Sequence, residues 1–351
     1  MRAAVLHGPG DLRIEHRPVP RPGPDDVVAR VSHCGVCGTD LHLVMEGWGR
    51  PGSVGGHEWS GTVVAVGSSV TDLSVGDAVV GGPPPGCGTC GLCLAGRGCL
   101  CLSRQPPDGA GDDGAFADYV RAHRRSVFRV PAGLDLRTAA LAEPLAVALH
   151  GVTRSGVRPG QRALVLGAGP IGALSVVALR ARGVDDVVVS EPNPARQALA
   201  ARLGASVVAP DELEVPSIAE PARIVDGAVD VALECSGRAR AVAAGCAQLR
   251  RGGTLVLVGT GIEPPALDPN RIILNELVVT GSFEYDDGGI EEALALLASG
   301  TADVSPLVEP GDVGLDVLLP AMADLASGRT AGKVLVSPAS SPATRQEGST
   351  S

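Results

Sequence analysis

Two hydrophobic rhythms divide this chain. Over the first 82 residues, apolar side chains come in short runs at 3–6, 12–14, 27–31, 62–66 and 78–80. Pro and Gly cut them apart, in the turn-rich stretch 18–24, at Gly67 and at Gly76-Asp77. Runs of this length between turn residues read as strands, and their succession predicts a mostly antiparallel, barrel-like N-terminal domain.

From residue 139 the spacing lengthens. Residues 139–152 read as a helix, and 161–282 alternate strand with helix. The strands are expected at 162–166, 187–190, 206–208, 229–234, 254–258 and 277–280, with helices at 171–182 and 194–203 among the gaps. Six apolar strands joined by crossovers predict an α/β fold with a doubly wound parallel sheet. A helix at 290–297 and a strand at 332–336 then read as a return to the first domain. Residues 337–351 are rich in Ser, Pro, Thr and Gly and are expected to be disordered. The expected organisation is therefore 1–150, 151–282, 283–336 and a tail at 337–351.

Composition narrows the function. A length of 351 residues allows two domains with sizeable cores. Aromatics make up only 2%, so those cores must be built from Val, Leu, Ala and Ile. A net charge of −10 argues against nucleic acid or anionic membrane surfaces as main partners. No apolar run has the length of a membrane helix, and the N-terminus lacks the apolar block of a signal peptide. A cytosolic home follows as the expectation. There, nine cysteines suit metal ligands or small buried hydrophobes better than disulfides.

The chemistry concentrates between residues 37 and 58. Cys37-Gly38-Thr39-Asp40-Leu41-His42 precedes a Gly/Trp-rich loop and then Gly56-His57-Glu58. A thiolate, an imidazole and a carboxylate offer zinc a mixed ligand set with one position left open, as a catalytic zinc requires. This stretch is expected on loops between strands. Next, Cys87-x2-Cys90-x2-Cys93-x7-Cys101 supplies four thiolates for a closed, tetrahedral, structural site. Cys99 could replace Cys101 as fourth ligand; Cys101 is preferred and Cys99 read as a bystander. Glu143 lies in the apolar run Ala140-Leu141-Ala142-Glu143-Pro144-Leu145-Ala146. Its burial there calls for a metal or cation nearby, or else for interaction with a helix N-terminus.

The third constellation is Gly167-Ala168-Gly169-Pro170-Ile171-Gly172. It follows an expected strand and opens an expected helix, and Glu191 ends the next strand, 19 residues past Gly172. In that setting the glycines let backbone approach a pyrophosphate, the helix N-terminus favours its charge, and Glu191 can hold ribose hydroxyls. A carboxylate there would oppose the 2′-phosphate of NADP, so NAD is the expected cofactor. Arg196, five residues on, could soften the repulsion.

Together these residues resemble the zinc-dependent medium-chain alcohol dehydrogenase family. The signature GHExxGxxxxxGxxV is present as Gly56-His57-Glu58, Gly61, Gly67 and Val70, and the four-cysteine lobe matches as well. The resemblance implies a GroES-like catalytic domain with an inserted Rossmann domain, and two zinc ions per subunit. Glu143-Pro144-Leu145 and Glu234-Cys235-Ser236-Gly237 are similar to the sorbitol, butanediol and threonine dehydrogenase branch. That branch implies Cys37 and His57 as zinc ligands, with Glu58 and Glu143 binding directly or through water. It also implies Thr39 as acceptor of the substrate proton, His42 as its relay to solvent, and Asp40 as orienter of His57. Arg196 and Lys333 match positions near the adenosine ribose and the pyrophosphate, and each could equally be a solvated surface charge. Trp48 and Phe283 are candidates for walls of the substrate pocket, with core packing the plain alternative. Cys34 matches no ligand and reads as a small core residue.

The expected activity is hydride transfer between a secondary alcohol, polyol or vicinal diol and NAD, in a homo-oligomer acting on a small-molecule alcohol. The alternatives are an amino-alcohol or sugar-alcohol dehydrogenase, or a non-catalytic NAD-binding relative. A sensor would have no reason to keep the ligands and the relay residues together.

Overall fold

A computed structural model describes residues 1–104 and 114–340, so the expected tail lies outside the described residues from 341 onward. Seven strands come first: β1 (Arg2–Gly8), β2 (Asp11–His16), β3 (Asp26–Gly35), β4 (Glu58–Val66), β5 (Ala78–Gly81), β6 (Tyr119–His123) and β7 (Val127–Arg129). Then follow β8 (Arg162–Leu166), β9 (Asp186–Ser190), β10 (Ser206–Val208), β11 (Val229–Glu234), β12 (Leu249–Leu257) and β13 (Val278–Gly281). The last is β14 (Leu335–Val336). The chain folds as two units. One takes Met1–Pro85 with the described parts of Gln105–Leu141 and Glu309–Ser351; the other takes Gly86–Arg104 and Ala142–Val308. No helix among the described residues is long and apolar enough to cross a membrane.

The first unit is antiparallel. Its sheet runs β14-β3-β4-β5-β7, with β6 also paired to β3, while β1 and β2 form a separate hairpin. β3 buries Val27, Val28, Ala29 and Val31 and turns Arg30 to solvent, and a register shift against β4 between Val28 and Ala29 breaks the strict alternation. Phe116 and Trp59 supply the bulk that the aliphatic core otherwise lacks. Leu315, Leu318, Met322, Val334 and Val336 join the same core from the far end of the chain. Each such burial is worth about 1.5–3 kcal/mol, which holds the return segment in place. The first residues of the expected tail are held too: Ser337 donates its N–H to the Val313 carbonyl (2.9 Å), and the Pro338 carbonyl accepts from Arg2.

The second unit is a six-stranded parallel sheet in the order β10-β9-β8-β11-β12-β13. Its extent differs from the expected 151–282. The helix Ala142–Ser155 packs against the helices Pro170–Ala181 and Gly289–Ser299, so 142–150 and 283–308 belong with this sheet. Residues 86–104 join it because Arg97 pairs with Asp286 (2.8 Å), Arg104 with Glu284 (2.5 Å), and the Asp287 N–H donates to the Gly96 carbonyl (3.2 Å). Chain order suggested the first domain for these residues; ion pairs across nearly 190 positions decide for the second.

Where β8 gives way to its helix, Gly167 takes φ +93°, a conformation L side chains rarely adopt. Gly172 faces it so closely that a Cβ there would lie 1.9 Å from the Gly167 carbonyl oxygen, whereas a Cβ on Gly169 would meet nothing within 4 Å. Gly172→Ala should therefore cost about 1–3 kcal/mol through overpacking, while Gly169→Ala leaves the thermal midpoint near that of the parent. Calorimetry of both variants checks this, and equal midpoints would show that the turn relaxes freely.

Candidate metal centres and nucleotide loop

Cys37, His57 and Glu58 bring a sulfur, a ring nitrogen and a carboxylate oxygen within 4.8 Å of one another. Contrary to the loop expected there, Cys37 caps a helix, Gly38–Met45. Asp40 makes that helix start: its Oδ2 accepts the Cys37 N–H at 2.9 Å, satisfying a donor the first turn leaves open. Asp40 is buried, which pushes its carboxyl up against the opposing pull of His57. Its Oδ1 has no hydrogen-bond partner and stands 3.9 Å from His57 Nδ1, too far for a hydrogen bond. Asp40 thus braces Cys37 through the backbone and faces the His57 ring without bonding it.

His57 and Glu58 arrive from the other side, at the start of β4. Gly56 holds φ +94° in a space bounded by the Phe116 backbone and the Cys34 sulfur, 2.8 and 2.9 Å from where a Cβ would sit. Cys34 is fully buried, and burial pushes its thiol well up, as suits a small core residue. Glu58 is also fully buried, and its Oε1 has no hydrogen-bond partner. A buried carboxylate oxygen left unbonded is costly, so the donor set and this orphan atom together fit a zinc ion.

Lys333 departs from expectation. Its side chain is 1% exposed, its ammonium donates to the Val36 carbonyl (2.9 Å), and it pairs with Glu58 Oε2. Buried beside Glu58, it is not the solvated surface charge that was the alternative. Gly35 makes the room: a Cβ there would meet Glu58 Oε2 at 2.1 Å and Lys333 Cε at 2.7 Å. Glu143 lies in the first turn of the helix Ala142–Ser155, 4% exposed, in the second unit. Thr39 and His42 sit three residues apart on the helix that Cys37 caps. His42 Nδ1 bonds Glu46 Oε2 (2.7 Å), and its ring stacks on Trp48 at 4.7 Å and 17°. Trp48 and Phe283 are about half exposed, so neither is a core aromatic.

The second cluster gathers Cys87, Cys90, Cys93 and Cys101. Zinc–sulfur bonds of about 2.3 Å at tetrahedral angles put sulfurs about 3.8 Å apart. The Cys87–Cys93 and Cys90–Cys101 pairs both stand at 3.9 Å. The Thr89 hydroxyl and nearby amides pull the Cys87 thiol down to about 5. The Gly88 amide favours a Cys93 thiolate, yet desolvation and its three thiol neighbours push that group up to about 11. Four close sulfurs cannot all ionise without a cation among them, and zinc removes the conflict. Cys99 stands apart, with its thiol donating to Asp286 Oδ1 (3.1 Å) and pushed up to about 12 by burial.

On the parallel sheet, Gly169 caps a helix that begins with Pro170, Ile171 and Gly172. Glu191, nearly fully buried, ties this loop to β9: its Oε2 accepts the Ala168 N–H (2.7 Å) and its Oε1 the Asn193 N–H (2.8 Å). Each oxygen keeps a lone pair for another donor. Arg196 is half-buried in the helix Pro194–Arg202, which Asn193 caps. Glu234 closes the facing turn, accepting from the Ser236 and Gly237 amides (2.8 and 3.2 Å).

Comparison with known proteins decides what these sites belong to. Residues 23–132 match the alcohol dehydrogenase GroES-like domain family, and residues 170–299 the zinc-binding dehydrogenase family. The chain is 37% identical to the sorbitol dehydrogenase of Macaca fascicularis over 319 residues, 87% of each chain. The chain belongs to the zinc-dependent medium-chain alcohol dehydrogenase family. Among solved structures, 2R,3R-butanediol dehydrogenase from Bacillus subtilis superposes with TM-score 0.84 at 33% identity, covering 96% of this chain and 99% of its own. A zinc-binding dehydrogenase from Sinorhizobium meliloti 1021 bound to NADP gives 0.85 at 34%, with the same coverage.

The two clusters of this family member should separate in experiment. Metal analysis of purified protein is expected to give two zinc ions per chain. Cys90→Ser should lose the lobe's zinc and lower the melting temperature, while Cys99→Ser keeps both ions. Zinc loss from Cys99→Ser would make it the fourth ligand after all.

Proposed function

We propose that this chain transfers hydride between a secondary alcohol, polyol or vicinal diol and NAD. The observation that carries this reading is the gathering of Cys37, His57 and Glu58 into an open, mixed-donor cluster, with Thr39 and His42 on the helix that Cys37 caps. Sorbitol and butanediol dehydrogenases among its relatives support the substrate class.

Zinc held by Cys37, His57 and Glu58 supplies Lewis acidity to the substrate oxygen, and Glu143 is part of the same proposal as a direct or water-linked ligand. Thr39 accepts the hydroxyl proton and His42 passes it on. The bond from His42 to the exposed Glu46 gives that proton a way out, and Trp48 holds the imidazole ring by stacking. The loop Gly167–Gly172 takes the pyrophosphate, and Glu191 takes the ribose hydroxyls with the lone pairs its backbone bonds leave free. Arg196 lies on the helix after Glu191, where the adenosine ribose would sit. Homo-oligomeric assembly belongs to the same proposal, supported by Ile273, Leu274 and Val278, all at least half exposed around the edge strand β13.

A screen over polyols, vicinal diols and amino alcohols, following reduced nicotinamide, tests the reading; turnover of none of them by zinc-loaded protein would sink it. Cofactor choice is the sharper test, since one relative binds NADP. A buried carboxylate facing the 2′-phosphate should make kcat/KM with NAD at least tenfold higher, about 1.4 kcal/mol. Glu191→Gln keeps an acceptor for the Ala168 amide and removes the charge, so it should narrow that ratio. Equal use of both cofactors by the parent protein would overturn the role of Glu191.

A further inference from the structure

Lys333 reaches Glu58 from a segment that something else must hold in register. Glu309 grips it twice. Its backbone N–H donates to the Lys333 carbonyl (3.0 Å), and its side-chain Oε1 accepts the Gly332 N–H (2.7 Å). The grip is itself anchored. The Glu309 carbonyl accepts from Arg137 Nη2 (2.6 Å), Arg137 Nε donates to Asp312 Oδ1 (2.9 Å), and Asp312 Oδ2 bonds His33 Nε2 (3.1 Å). His33 lies on β3, two residues before Gly35, whose missing side chain lets Lys333 and Glu58 meet. A chain of bonds thus runs from the strand under the metal site, through the return segment, to the ammonium inside it.

We propose that Glu309 is a positioning residue of this site: by holding the Gly332 N–H and the Lys333 carbonyl it sets how closely the Lys333 ammonium sits against Glu58, and so how much of that carboxylate's charge remains for zinc. The inference rests on Cys37, His57 and Glu58 being zinc ligands. Coulomb attraction falls with distance and is only weakly screened in a dry site, so a shift of an ångström changes what Glu58 offers a second cation. Loosening the grip leaves a buried carboxylate whose compensating charge wanders. Glu309 itself lines a cavity of about 290 Å³ beside Asp312, Val313 and Thr330. Shortening it therefore removes hydrogen bonding more than core packing.

The experiment compares Glu309→Ala and Glu309→Gln in the full chain loaded with cobalt, whose sulfur charge-transfer bands distinguish a one-thiolate from a four-thiolate site. Each protein is challenged with a chelator and its melting temperature recorded. Glu309→Ala should release the one-thiolate metal about tenfold faster while keeping the four-cysteine metal and a near-parental melting temperature. Glu309→Gln, whose amide oxygen still accepts the Gly332 N–H, should behave as the parent. Parental release rates in Glu309→Ala overturn the proposal, as does a Gln variant as poor as the Ala variant. Loss of both metals with a lowered melting temperature reduces Glu309 to a structural role and overturns it equally. A parent chain that takes up only the four-thiolate metal would overturn the reading of the site as well, before any variant is made.

Discussion

A buried ammonium and a buried carboxylate tie the end of this chain to its metal site. Lys333 and Glu58 are 1% and 0% exposed, and neither charge is tolerable there alone. The idealised cost of moving one such ion into a dry interior is about 20 kcal/mol, and several kcal/mol remain after relaxation. Each therefore depends on the other's arrival. Glu58 is compensated where β4 places it only with the return segment bearing Lys333 in position. The pair also leaves Glu58 Oε1 without a partner, so the ammonium compensates the carboxylate without exhausting it.

The two cysteine-bearing clusters divide their labour by donor chemistry and by what surrounds them. Four sulfurs in the 86–104 lobe lie within 4.8 Å of one another, the full ligand count of a tetrahedral zinc, which would leave no position for a substrate. The lobe is pinned to its own unit by Arg97, Arg104 and the Gly96 carbonyl. The Cys37 cluster has three donors of three kinds and a helix leading away that carries a hydroxyl, an imidazole and an exposed carboxylate. One arrangement is closed and braced. The other gathers three donors, one fewer than a closed zinc site uses. The same element in both would do different work because the protein around it differs.

Motifs whose meaning is local were legible in the sequence. The Cys-x2-Cys-x2-Cys-x7-Cys spacing, Gly56-His57-Glu58 and the glycine turn after β8 depend on neighbours within about twenty residues, and strand periodicity placed β8 to β11 and β13 closely but caught β12 only from Thr254 onward. What escaped was non-local. The apolar run holding Glu143 looked like the end of the first domain, yet its helix packs against two helices of the parallel-sheet unit. Cys37 to His42 looked like loop because a helix of eight residues carries a weak periodic signal, and its cap bond comes from Asp40 inside the motif itself. Lys333 was matched to a phosphate role by position. Only the fold reveals the carboxylate it faces, 275 residues earlier in the chain.

That separation explains why the site belongs to the whole chain and to no contiguous piece of it. The parallel sheet is built from strands lying between residues 162 and 281, with all their connections inside that span. The antiparallel unit is interrupted, and its strand β14 pairs with β3 at Val336 and Cys34. Closing so long a loop costs only slightly more than closing one of moderate length, because the entropy grows with the logarithm of loop size. The interruption is thus thermodynamically cheap, while the site it completes is exacting. Without the return segment, Glu58 would be a buried carboxylate with neither its ammonium nor a held metal. The protein thereby makes its metal chemistry conditional on a fully closed fold.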